Sequence, residues 1–237
     1  MEHEHSAPAI ARRLSGAPAF SYLRDWVYGG IDGAITTFAI VAGVIGAELS
    51  TRVVLILGIA NLVADGFSMA ASNYSGTKTE HEEHDHLRAI EERHIDVVPE
   101  GEREEIRQIF RGKGFRGDDL ERAVDVITAD RKRWVDTMLA EEYGLPKAVR
   151  SPLKAAASTF ASFVLCGAVP LLPFLFGATA DFQLAVVMTA LVFFLIGSTK
   201  SHWSPVSWWR SGTETLAIGL GAAALAFLIG HGLKTLV

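Results

Sequence analysis

Two aspartates stand where a membrane would not tolerate them without reason. Asp32 lies in Trp26-Val-Tyr-Gly-Gly-Ile-Asp32-Gly-Ala-Ile-Thr-Thr37, and Asp65 lies in Ala60-Asn61-Leu-Val-Ala-Asp65-Gly-Phe-Ser-Met69; both stretches are otherwise apolar. An acid at such a depth costs ~2.5–3.5 kcal/mol on insertion scales, and intramembrane acids are retained chiefly where an ion or proton passes. Met69 is one helical turn from Asp65 and sets a thioether beside carboxylate oxygens. That mixture suits a borderline transition-metal ion better than Mg²⁺ or Ca²⁺. Asn61 is a further path residue in the same stretch. Gly29, Gly30, Gly33 and Gly66 are expected to let helices approach and leave room for an ion. The structural alternative is that Asp32 and Asp65 join helices through Thr36, Ser68 or backbone groups.

A second set of candidate ligands occurs in a charged segment: Glu91 with His94, Glu102 with Glu105, and Met138 with Glu142. Spacings of three or four residues put each pair on one helix face. Three packed helices could then gather carboxylates, an imidazole and a thioether, a donor set for Fe²⁺, Mn²⁺, Co²⁺ or Zn²⁺. The same spacings also arise on any solvated helix. Two His/Glu tracts, Glu2-His3-Glu4-His5 and Glu80 to His86, read as flexible metal-collecting segments or as ordinary polar linkers.

The elements that must position these groups follow from charge distribution. Of 237 residues, 49% are hydrophobic and 21% charged, but residues 75–154 hold 19 acidic and 15 basic side chains. Five apolar runs, 26–47, 53–74, 155–177, 182–199 and 213–233, are each long enough at ~1.5 Å per residue to cross a hydrocarbon core of ~30 Å. The expected fold is therefore an all-α membrane protein: an arm (1–25), two spans (26–74), a helical insert (75–154) and three spans (155–237). Antiparallel spans 1 and 2 bring Asp32 and Asp65 to similar depth. Ten Lys and Arg flank the spans on the side of the N-terminus and insert, against Arg52 and Lys234 on the other. This places the N-terminus and insert in the cytoplasm and the C-terminus outside or in a lumen. Trp26, Trp203, Trp208 and Trp209 are expected in an interfacial belt. Pro170 and Pro173 should kink span 3, and the Gly219, Gly221, Ala222 to Ala224 run should make a close helix contact.

Within the insert, span 2 should continue as one helix to about residue 96. A second helix should run from about Glu102 to Gly112, and a third from an Asp118 or Asp119 cap to Gly144. The net charge of −5 excludes reading the whole chain as a nucleic-acid binder. The single Cys166 excludes an intramolecular disulfide and a cysteine-cluster metal site. Residues 1–25 show neither a cleavable leader nor a targeting segment, so a bacterial plasma membrane is expected, with an organelle membrane the alternative.

The chain resembles the vacuolar iron transporter family over nearly its whole length. The resemblance is carried by Asp32-Gly33 with Thr36, by Ala64-Asp65-Gly66-Phe67-Ser68-Met69-Ala70 with Tyr74, by Pro99-Glu100-Gly101-Glu102, and by Met138 to Leu145 with Glu141-Glu142-Tyr143-Gly144-Leu145. It implies five spans, a homodimer with the ion path between subunits, and a three-helix cytoplasmic metal-binding domain. The implied activity is exchange of cytoplasmic Fe²⁺, and also Mn²⁺, for protons, with no tightly bound cofactor. By position, it makes Asp32 and Met69 the translocation ligands and puts Asp25 near the cytoplasmic mouth. Glu91, Glu102, Glu105, Met138 and Glu142 become the metal-collecting set. His94 stands where the family commonly has glutamate, Leu139 where some members have methionine, and Asn61 where some have glutamate. Imidazole in place of carboxylate moves preference towards Zn²⁺, Co²⁺ or Ni²⁺. The competing readings are a membrane-tethered iron-storage or ferroxidase module, against which the intramembrane acids argue, and an exporter of organic solutes, for which the spans offer no aromatic-lined pocket.

Overall fold

A computed structural model of the chain describes residues 4, 6–15, 20–146, 149–177, 181–201 and 205–234. Every regular element among them is helical. The chain divides into two compact units, one of Ser21–Thr77 with Ser151–Val237 and one of Met1–Phe20 with Lys78–Arg150.

The first unit is built from α2 (Leu23–Gly46), the first part of α3 (Thr51–Val97), α7 (Pro152–Ala168), α8 (Leu172–Phe176), α9 (Asp181–Lys200) and α10 (Trp208–Lys234). Five helical spans here are long and apolar enough to cross a membrane, as the apolar runs require. Span 3 is α7 and α8 joined by a 3₁₀ turn at Val169–Leu171, which contains Pro170. Proline has no backbone N–H for the α-helical ladder, so the expected kink falls there and at Pro173.

Helix α2 is the hub of this unit and packs on α7, α9 and α10. Its contact with α7 is backbone to backbone. A Cβ on Gly33 would fall 2.3 Å from the Phe163 carbonyl oxygen, and one on Gly29 would fall 2.3 Å from that of Thr159. These glycines thus serve helix approach, filling with α7 the space that the sequence suggested for an ion. Gly66 faces the Phe163 and Phe160 rings, and Gly219 faces Phe193, the close contact expected in span 5, whereas Gly221 meets nothing. Phe38, Val41, Val54, Leu62, Phe163 and Phe174 form the core. Trp26, Trp208 and Trp209 are exposed, as a belt requires; Trp203 lies outside the described residues.

The second unit contains α1 (Ala7–Ser15), the remainder of α3, α4 (Pro99–Gly112), α5 (Gly117–Thr128) and α6 (Arg131–Glu141). Helix α4 begins at Pro99, three residues before the expected start, because proline's fixed φ suits the first helical turn. The single third helix of the insert is two. Asp130 takes extended backbone (φ −126°) and its carboxylate accepts from the Arg133 N–H at 2.7 Å, capping α6 and ending the run from α5. The Arg133 guanidinium meanwhile donates to the Val126 carbonyl at 2.6 Å, closing the end of α5. The cap of α5 is Arg116, ahead of the expected Asp118 or Asp119. Ile95, Ile106, Val124, Trp134, Val135, Met138 and Leu139 form the core, each large side chain contributing roughly 1.5–3 kcal/mol on full burial. Residues 80–86, read as a flexible tract or a polar linker, are continuous α-helix within α3, which runs from Thr51 to Val97 as the expected continuation of span 2 to about residue 96 requires. Of the Glu2 to His5 tract only Glu4 is among the described residues, accepting from the Ser6 hydroxyl at 2.5 Å.

Candidate metal centre

In the second unit the chain turns sharply after α6. Gly144 adopts φ +67°, which a side chain would strain, and the Leu145 N–H reaches back to the Leu139 carbonyl at 2.9 Å. The turn presents Glu142 and Tyr143 to α3 and α4. The Tyr143 hydroxyl donates to Glu91 Oε1 at 2.9 Å. Glu91 on α3 is 1% exposed and Glu102 on α4 is 4% exposed. His94 Nδ1 lies 3.4 Å from Glu102 Oε1. Glu105 and Glu142 are exposed but near enough to act on Glu102 through their charge.

The structure therefore brings Glu91, His94, Glu102, Glu105 and Glu142 together. Met138 is fully buried in the apolar core. Among the described residues no three His, Cys, Asp or Glu side chains stand in a ligating arrangement, so the group is a charge cluster and not a closed coordination shell. Two buried oxygens mark its centre. Glu91 Oε2 and Glu102 Oε2 are buried with no hydrogen-bond partner, a state that a buried carboxylate oxygen rarely sustains.

The electrostatics agree. Burial, then the charges of Glu105 and Glu91, a hydrogen bond with Glu91 and the charge of Glu142 push the Glu102 carboxyl up to about 7, from an ordinary 4.5. Glu142 is also raised, by desolvation and then by Glu105 and Glu91. Burial and the bond to Glu91 hold Tyr143 well above the usual phenol range, so it stays a neutral donor. A raised carboxyl favours the folded apo protein most below its unfolded value near 4.5, and this contribution is lost as pH rises through about 7. A dication bound here would have to displace the Glu102 proton, so its affinity should rise about tenfold per pH unit below 7 and level off above it. Calorimetric titration with Mn²⁺ at several pH values should show that slope in the parent and lose it in Glu102→Gln. An unchanged slope in the variant would remove Glu102 from the binding step.

In the first unit, Asp32 on α2 and Asp65 on α3 are near enough for the charge of one to act on the other. The Thr36 hydroxyl donates to the Asp32 backbone carbonyl at 2.9 Å, and Asn61 donates to Thr36 Oγ1 at 3.1 Å, so Asn61 joins α2 to α3. Asp25, 3% exposed, accepts from Asn73 Nδ2 at 2.9 Å, and the same amide donates to Thr159 Oγ1 at 2.7 Å. One amide thus ties α2, α3 and α7 around a buried acid. Met69 lines a cavity of about 260 Å³ with Tyr28, Ser68, Ser72, Asn73 and Thr159. Its wall is thioether, hydroxyl and amide, and the carboxylate tied to it is Asp25.

Sequence reasoning passed over Asn73, Thr159 and Tyr143. Asn73 carried a readable signal, since it lies one turn beyond Met69 and two beyond Asp65 on one helix. Asn73→Leu should lower stability by roughly 1.5–3 kcal/mol, the value of a hydrogen bond to a charged group. Thermal unfolding in detergent checks this, and an unchanged midpoint would make the amide dispensable.

Apolar membrane-length helices that enclose acids, in a chain whose other unit concentrates carboxylates, define a multi-pass integral membrane protein. The model of the VIT family matches residues 23–231, and the chain belongs to that family. It is 32% identical over 228 residues to a vacuolar iron transporter of Toxoplasma gondii, covering 91% of this chain and 76% of the relative. It is 32% identical over 212 residues to vacuolar iron transporter 1 of Arabidopsis thaliana (87% and 84%). A vacuolar iron transporter of Plasmodium falciparum is 29% identical over 224 residues (90% and 82%).

Proposed function

We propose that this protein is a secondary transporter, and not an enzyme, that moves Fe²⁺ or Mn²⁺ out of the cytoplasm in exchange for protons. The observation that carries the reading is the pair Asp32 and Asp65, two acids near enough for their charges to interact within apolar helices of membrane length. Family membership and the relatives' names support iron as the cargo. In this reading the N-terminus and the Glu91 to Glu142 cluster face the cytoplasm, and the cluster collects metal there. Asp32 loses its proton and accepts the ion with Met69, while Asp25 guards the entry. Protons arriving from the far side compete for the carboxylates and release the metal.

Two copies would set two Asp32 and Met69 pairs across a twofold axis. The deciding experiment is anaerobic uptake of Fe²⁺, Mn²⁺, Zn²⁺ and Co²⁺ into proteoliposomes, with and without a pH gradient. Gradient-dependent uptake of Fe²⁺ or Mn²⁺ is expected. Absence of uptake of every metal by folded protein would overturn the reading, and uptake indifferent to the gradient would overturn the proton exchange.

A further inference from the structure

The Glu80 to His86 tract holds the chain's densest run of metal-binding side chain types. Its helical conformation sorts them. Glu80, Glu83 and His84, at i, i+3 and i+4, share one face of α3, and all three line a cavity of about 390 Å³ with Leu145, Val149 and Arg150. His84 is 6% exposed, and neither of its ring nitrogens has a hydrogen-bond partner. Asp85 Oδ1 lies 3.7 Å from Nδ1, beyond hydrogen-bond reach. A buried imidazole without partners is costly, and an apolar side chain would fill the same space without that penalty. A ligand on the open nitrogen removes the penalty.

We propose that Glu80, Glu83 and His84 form a second site for a divalent transition-metal ion, separate from the Glu91 to Glu142 cluster. The buried imidazole is the fixed anchor. Glu80 and Glu83 are exposed and free to swing onto an ion held by His84, which accords with the absence of a preformed three-ligand arrangement among the described residues. One nitrogen and carboxylate oxygens select Zn²⁺, Co²⁺, Fe²⁺ or Mn²⁺ over Mg²⁺ and Ca²⁺. His84 and Glu91 are seven residues apart on α3, so the two sites lie about 10 Å apart along one side of the helix. The assignment does not rest on the transport reading.

The test uses the full chain in detergent with Glu91→Gln, Glu102→Gln and Glu105→Gln, which disables the cluster, and with Asp32→Asn, which disables the proposed membrane site. Anaerobic titration with Co²⁺ follows its visible absorption and the equivalents bound. One equivalent should remain, and adding His84→Ala should weaken it at least tenfold, about the loss expected even for an outer-shell partner. Glu80→Gln with Glu83→Gln should weaken it likewise, and both positions are exposed, so that variant keeps its fold if His84→Ala does not. No residual equivalent, or one indifferent to both sets of changes, would overturn the site. Failure of the transport reading shows elsewhere, as absent uptake by the parent.

Discussion

Proteoliposomes carrying Asp32→Asn should take up Fe²⁺ or Mn²⁺ at least about a hundredfold more slowly than the parent, since loss of an outer-shell partner alone costs ~10–100-fold in metal sites. The protein should otherwise purify and unfold normally. Asparagine keeps the shape of aspartate and removes its charge. The contacts that order this part of α2 survive the change, because Thr36 bonds the backbone carbonyl of residue 32 and Asn61 bonds Thr36. Removing a charge at membrane depth, beside the like charge of Asp65, relieves part of a penalty of ~2.5–3.5 kcal/mol on insertion scales, the polar amide keeping the remainder. Stability should therefore be unchanged or higher while transport disappears. That opposition separates a path residue from a structural one. Uptake at the parent rate would end the assignment of Asp32 to the path.

Gly33→Ala should destabilise the membrane unit by about 3 kcal/mol or more, at the upper end of what overpacking costs. The added methyl would lie 2.3 Å from the Phe163 carbonyl oxygen and 2.8 Å from the Phe163 Cα. Backbone atoms cannot step aside by changing rotamer, so α2 and α7 must separate along their whole contact. Gly43→Ala is the internal control. It lies in the same helix, its Cβ would meet nothing within 4 Å, and helix propensity favours alanine by ~1 kcal/mol. The two variants should move the unfolding temperature in detergent in opposite directions. A Gly33→Ala midpoint at or above that of Gly43→Ala would show that the α2–α7 contact is not the close one described.

What could be read from the chain alone was local. Five spans, the helical character of the insert and the kink at Pro170 and Pro173 follow from run length and from a repeat of 3.6 residues, which assigns every side chain a height and a face. The grouping of Glu91, His94, Glu102, Glu105 and Glu142 was suggested in the same way, since i,i+3 spacing aligns ligands on each helix. Even the break between α5 and α6 had a local sign, an Asp130 cap, though it was masked by an uninterrupted run of helix-forming residues.

Only packing decided the rest. Asp25, Asn73 and Thr159 are 48 and 86 residues apart in pairs, and no periodicity relates helices so distant in sequence. Tyr143 reaches Glu91 because a positive-φ turn at Gly144 follows α6 and because α6 packs into the core that also holds Ile95 of α3. Whether a glycine opens room or closes it depends on what stands opposite, and for Gly29 and Gly33 that is the backbone of α7. The burial of His84 among acids that remain exposed has the same origin. A helical repeat determines which residues share a face, whereas the partner elements packed on that face determine which side chain loses its water.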